Sequence, residues 1–364
     1  MHILKANRIL KRSLFASVFV WFVAGSALAQ STNRMTLEEL LHLRLPDVVI
    51  DSAKSVTKEA QKNPNAAAHF EVKGIIGGTI RFELLLPDAW NGRFVMGGGG
   101  GFVGTVQNSA RDSVNQGYAT IGTDTGHQWP EGHMAGWAFT NLEAQVNFGF
   151  LAVHRTAEVG KALIRSYYHT DATRSYFLGC SRGGGQAMME AQRYPKDFDG
   201  IVAGAPAFNW TGIAATMVQI ARALYPDPSH LEKTALNKEA LQALAKAIID
   251  QCDMQDGVKD GIIEDPASAK FDLSKVADLS VEQRKAIEAI YRGAVNDKGT
   301  IYPGFSPVAE CDPDQWMAWL VGPLPPLVSK DHVADLTFAF GTQIFKYLVF
   351  NNPDWDYSTY DFSR

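Results

Sequence analysis

Ser175-Tyr176-Phe177-Leu178-Gly179-Cys180-Ser181-Arg182-Gly183-Gly184 decides the fold. Ser175–Leu178 reads as a short apolar strand, and helical spacing resumes from Gly184 to Tyr194. Between them Gly179-Cys180-Ser181-Arg182-Gly183 fits G-x-S-x-G, the bend that lifts a serine hydroxyl clear of a sheet. Small flanking residues let strand and helix approach, and the Arg182 amide at the helix start faces an oxyanion formed at Ser181. The same letters also fit a glycine-rich turn without chemistry; the flanking strand and helix favour a nucleophile.

An oxyanion hole needs a second donor, usually from a glycine loop after an earlier strand. Arg93–Met96 reads as such a strand and enters Gly97-Gly98-Gly99-Gly100-Gly101, where Gly100 and Gly101 are the candidate donors. A phosphate cradle would need Gly-Lys-Ser/Thr, which this run lacks. His69 to Leu86 alternates around Gly77-Gly78 as a β-hairpin. Tyr118–Gly122 and Gly200–Ala203 add strands, and Leu142–Tyr167 reads as one long helix. This alternation predicts a parallel sheet with helices on its faces. Asp124-Thr125-Gly126 has the aspartic-protease triplet, but that chemistry needs two carboxylates sharing a proton. With one copy present, Asp124 and His127 are expected to form a polar strand end.

After Pro206 helical patterns cover Ile213–Leu224, Lys238–Gln251 and Val281–Tyr291, separated by Pro- and Asp-rich loops. A mostly helical lid over the sheet is expected at 210–350, the core at 30–209 and a return to the core at 351–364. Within the lid, Asp253, Asp256 and Asp260 place three carboxylates within eight residues, with Gly257 and Gly261 as turn-makers. Hard oxygens at that density suit Ca²⁺, and the Val258 and Ile262 carbonyls complete the set. The spacing is not that of an EF-hand, and a solvated acidic turn is the alternative.

The chain has 364 residues, 46% hydrophobic and 20% charged, with mean hydropathy −0.11. That excludes a disordered chain and a multi-span membrane protein. Lys5, Arg8, Lys11 and Arg12 precede an apolar run from Leu14 to Val23, and Ala27-Leu28-Ala29 makes a signal peptidase site. Residues 1–29 therefore read as a signal peptide; the run is short for a membrane anchor, and export to the periplasm or medium is expected. Cleavage takes the formal charge from −5 to −9, so nothing points to nucleic acid, and no membrane contact is expected after cleavage. Three cysteines, Cys180, Cys252 and Cys311, leave one unpaired within the chain.

Taken together, the motifs resemble the tannase/feruloyl esterase family, which also includes mono(2-hydroxyethyl) terephthalate hydrolase. The resemblance runs through Trp90–Phe94 to Gly101-Phe102, Asp124–His127, Asn147-Phe148 to His154-Arg155, and Tyr176 to Pro206. It continues over Cys252–Pro266, Tyr302–Phe305 and Asn352–Asp356. It implies an α/β-hydrolase fold with a lid, Ser181 as nucleophile, and a structural calcium ion held by Asp253, Asp256, Val258, Asp260 and Ile262. It implies carboxylic ester hydrolysis through an acyl-enzyme on a small aromatic ester such as a feruloyl, galloyl or terephthaloyl one.

Family members carry a catalytic Asp and a His-Cys pair further along the core, which nothing after Ser181 matches here. Of the later histidines, His230 and His332 lack that context; Asp331 beside His332 is a sequence neighbour, and neighbours rarely face each other. His127 and His154 lie upstream and break the Ser…Asp…His order. The C-terminal part of the core, the triad partners and the partner of Cys180 are thus expected to be missing, leaving the chain inactive or nearly so. Cys252, whose family partner lies near Ala269, is left free or paired with Cys311. The alternative class is a non-catalytic exported binding or remnant protein that keeps the pocket without the base.

Overall fold

The computed structural model describes residues 34–61, 63, 65–129, 134–308, 310, 316–322 and 335–363. The expected signal peptide, Asp331, His332 and Cys311 lie outside them.

A short helix, α1 (Leu37–His42), precedes seven strands: β1 (Val48–Val56), β2 (His69–Ile76), β3 (Ile80–Pro87), β4 (Arg93–Gly97), β5 (Ala119–Thr123), β6 (Arg174–Cys180) and β7 (Gly200–Gly204). They form one sheet in the order β1-β2-β3-β5-β4-β6-β7. The pairs β5–β4, β4–β6 and β6–β7 are parallel, whereas β1–β2, β2–β3 and β3–β5 are antiparallel. The expected parallel sheet is therefore correct for one half only. The Gly77-Gly78-Thr79 turn, with φ of 60° and 75° at its glycines, closes a three-residue hairpin loop and fixes the antiparallel half.

The crossover between β5 and β6 is interrupted. Helix α2 (Leu142–Val146) runs into a π-turn over Asn147–Leu151, and α3 (Ala152–Tyr168) follows. The expected single helix is continuous in path but carries this wider turn. Helix α3 buries Val153, Leu163 and Ile164 against Phe82, Phe94 and Ile121 of the sheet. Helix α4 (Arg182–Arg193) leaves β6 directly through Ser181.

Beyond β7 come α5 (Trp210–Leu224), α6 (Lys238–Cys252), α7 (Val281–Arg292), a small hairpin β8 (Ala294–Asn296) and β9 (Gly299–Tyr302), and α8 (Leu336–Gln343). Asn209, Asn237, Ser280 and Asp335 cap their N-termini, each accepting a backbone amide. Their apolar faces share a second core containing Val218, Leu244, Ile248 and Ile290. That core continues into Phe102 and Phe148, beside the glycine loop, so this layer sits against the C-terminal ends of the parallel strands. No helix among the described residues is long and apolar enough to cross a membrane.

Candidate active site

Ser181 stands between β6 and α4 at φ 57° and ψ −119°, a conformation costly for any residue with a Cβ. Three backbone hydrogen bonds hold it there. Its amide donates to Gly204 O at 3.0 Å, and its carbonyl accepts from Gly185 N at 3.1 Å and Ala207 N at 2.9 Å. The side chain is exposed. The strained turn, the strand before it and the helix after it are the geometry that G-x-S-x-G led us to expect.

The glycine loop lies against this turn. A Cβ on Gly98 would stand 2.7 Å from the Gly183 Cα, so the two backbones approach only because both residues lack side chains. The loop amides divide their work. Gly98 N donates to Leu178 O at 2.9 Å, Gly99 N to Gln186 Oε1 at 3.1 Å, and Gly100 N to Gln107 Oε1 at 2.7 Å. Gly100, expected as an oxyanion donor, is therefore already committed to a side chain that folds back from seven residues downstream. Gly101, at φ 56°, has no acceptor for its amide among the described residues. The Arg182 amide, on the first residue of α4, has no intrahelical acceptor either.

A cleft of about 70 Å³ opens on Ser181, between Gly101 and Arg182 on the sheet side and Trp210, Met217, Trp319 and Phe340 from the lid. Trp319 stacks on Phe340 with centroids 5.7 Å apart, and Phe340 meets Phe102 at 4.9 Å. The wall is aromatic and nearly without polar groups.

No imidazole among the described residues is hydrogen-bonded to the Ser181 hydroxyl. His127 is buried, stacked on Trp137 at 3.7 Å, and its Nε2 donates to Phe102 O at 2.9 Å. Burial pushes its pKa down to about 4, so it stays neutral. His230 is exposed and pairs with Glu232 at 2.8 Å. Asp124 accepts from Arg81 N, Gly126 N and Gln128 Nε2, which spends the lone carboxylate of the Asp-Thr-Gly triplet on local backbone and side chain.

A half-buried polar cluster beneath α4 escaped the sequence. His154 Nδ1 lies 2.6 Å from Asp197 Oδ2 and its ring stacks on Tyr194 at 3.7 Å. Glu190 is fully buried beside them, with no hydrogen-bond donor for either oxygen. Burial, then the neighbouring Asp197, push its pKa up to about 8, against the opposing pull of Lys161. It is a neutral acid at pH 7. The only warning in the sequence was an acid on the inner face of a predicted helix.

In the acidic loop, Asp253 Oδ1 accepts from Asp260 N and Gly261 N, Asp256 Oδ1 from Val258 N, and Asp260 Oδ1 from Ile262 N. These bonds shape the loop. The carboxylates do not converge: among the described residues, only His154, Glu190 and Asp197 bring three ligand-type atoms within 4.8 Å of one another. The oxygen-only donor chemistry suits calcium, while the spacing of the acids is wider than a bound ion requires. Cys180 is an exposed free thiol and Cys252 a buried one, so Cys252 is unpaired.

Comparison with known proteins places this geometry. A sequence profile described as tannase and feruloyl esterase matches residues 66–362. An uncharacterized esterase of Xanthomonas campestris pv. campestris is 32% identical over 341 residues, covering 88% of this chain and 57% of that protein. A probable feruloyl esterase B-1 of Aspergillus oryzae is 31% identical over 294 residues, covering 77% of this chain and 51% of the relative. The chain spans about half the length of these curated relatives. The crystal structure of feruloyl esterase B from Aspergillus oryzae superposes with a TM-score of 0.72 at 27% identity, over 90% of this chain and 66% of that one. Tannin acyl hydrolase from Aspergillus niger gives 0.61 at 22% identity, over 76% and 58%, a likeness of fold alone. The expected α/β-hydrolase fold is thus borne out, with its sheet mixed rather than parallel throughout. A serine elbow, a glycine loop beneath an aromatic lid and a profile match across most of the sequence agree: the chain belongs to the tannase and feruloyl esterase family.

Proposed function

We propose that this protein is an exported carboxylic ester hydrolase acting on esters of aromatic acids through a serine acyl-enzyme. Ser181 Oγ adds to the ester carbonyl, and the Arg182 and Gly101 amides receive the oxyanion. The alcohol departs, and water releases the acid from the acyl-enzyme. Trp210, Trp319 and Phe340 give the acyl ring an apolar slot. The observation that carries this reading is the φ of 57° at Ser181, strain the fold maintains beside two uncommitted amides.

The Ser181 proton needs an acceptor, and the described residues bring none to it. Turnover by this chain is therefore expected to be slow, because loss of a triad member costs orders of magnitude while oxyanion binding leaves a residual rate. Calcium has a bracing role in this proposal: its binding would draw Asp253, Asp256 and Asp260, with the Val258 and Ile262 carbonyls, together around the ion in the lid, away from the chemistry.

Hydrolysis of methyl ferulate and methyl gallate, with phosphonylation of Ser181 read by mass spectrometry, tests the proposal. Turnover or labelling that Ser181→Ala abolishes is expected. Identical rates in both proteins, with no adduct on Ser181, overturn it.

A further inference from the structure

Arg182 lends its backbone to the site already described, but its side chain has another environment. The residue is 4% exposed, and no carboxylate among the described residues pairs with its guanidinium. Nη2 donates to Phe148 O and, at 3.4 Å, to Gly149 O, both in the π-turn. The guanidinium also lies 4.2 Å from the Phe148 ring centroid and 5.4 Å from that of Trp210. These contacts offset part of its desolvation, yet Nε has no partner. A buried cation without an anion is expensive, and proteins retain one where an anion is to come.

Beside it lies a cavity of about 360 Å³, a size typical of small-molecule sites. Arg182 and Gly185 share one wall, and a Cβ on Gly185 would stand 3.3 Å from Arg182 Nη1. Phe148, Met189, Phe208, Trp210 and Leu348 make the rest largely apolar. The cavity shares Arg182, Trp210 and Ile344 with the Ser181 cleft. One planar cation with donors to spare, set in a half-open pocket with aromatic walls, matches a carboxylate carried on a ring: the guanidinium fork meets the two oxygens and the walls meet the ring.

We propose that this second cavity is a binding subsite for a free aryl carboxylate, held by the Arg182 guanidinium and walled by Phe148, Phe208 and Trp210. It adjoins the acyl slot across Arg182, Trp210 and Ile344 and does not require Ser181 to react.

Calorimetric titration of the purified chain with benzoate and with its neutral analogue benzamide, at low salt, tests this. Benzoate should bind about 10-fold more tightly, the scale of one charge-assisted hydrogen bond. Arg182→Met should remove that preference, and Ser181→Ala should keep it because no reaction at the serine is needed. Phe208, which lines this cavity and not the Ser181 cleft, separates the two sites. Phe208 is 60% exposed, so Phe208→Asp leaves the core intact while placing a competing carboxylate at the cavity. It should weaken benzoate by at least about 5-fold. Equal affinities for the two ligands, binding of neither, a preference surviving in Arg182→Met, or unaltered benzoate affinity in Phe208→Asp would each overturn the proposal.

Discussion

The side-chain oxygen of Gln186 accepts the Gly99 amide at 3.1 Å, linking the helix that follows the nucleophile to the glycine loop. Gln186 is buried, so this bond is shielded from water. Replacing it with leucine leaves the amide without an acceptor and frees the loop that carries Gly101. We predict a cost of about 1–3 kcal/mol in stability for Gln186→Leu. Ser181 phosphonylation should slow at least about 10-fold. Urea unfolding and adduct kinetics check the two effects separately.

Gly98 and Gly100 are two residues apart and should respond to very different degrees. A Cβ at Gly98 meets the Gly183 backbone, whereas one at Gly100 meets nothing closer than 3.7 Å. Gly98→Ala should destabilise by about 1–3 kcal/mol, and Gly100→Ala should change stability by less than about 0.5 kcal/mol. Paired thermal melts decide this; similar losses in both would show that the loop is not packed as described.

Much of this loop was foreseeable and some was not. Its strand, its glycines and the elbow they face are local patterns, legible from Arg93 to Gly101 and from Ser175 to Gly185. The commitment of Gly100 to Gln107 was not, because one side chain folding back onto one amide leaves no periodicity to detect. The same holds for β1, whose burial is patchy along an edge strand, and for the π-turn at Asn147–Leu151, which alters the helical count too briefly to disturb the apolar stripe. The hairpin at Gly77-Gly78 was readable, but not that its second strand would join the parallel set side by side with β5.

Glu190 makes the stability of the protein depend on pH. Its folded pKa, about 8, lies above the ordinary value of 4.5. The neutral form is favoured by folding, so the contribution is full below about pH 4.5 and is lost as pH rises through about 8. Glu190→Gln keeps the neutral shape without an ionisable proton. The variant should gain on the parent with increasing pH, by a few kcal/mol at alkaline pH. Melting curves between about pH 5 and pH 9 give the comparison, and a constant difference across that range would refute it.

Calcium in the lid loop has a simple readout. An ion bound only by the folded protein raises its melting temperature. Added CaCl₂ should stabilise the chain, EDTA should reverse the gain, and Asp256→Ala with Asp260→Ala should abolish it. A melting temperature indifferent to both reagents leaves the acidic segment as a solvated turn.

The bond from the Ala207 amide to the Ser181 carbonyl has a mechanical consequence. Ala207 lies on the path into α5, so the aromatic roof is tethered by its first few residues to the atom chain that carries the reactive oxygen. A roof anchored in this way does not swing freely past the serine when a guest enters. Its near end stays registered with the floor, and any opening has to come from the far side, where Trp319 and Phe340 lean over the entrance.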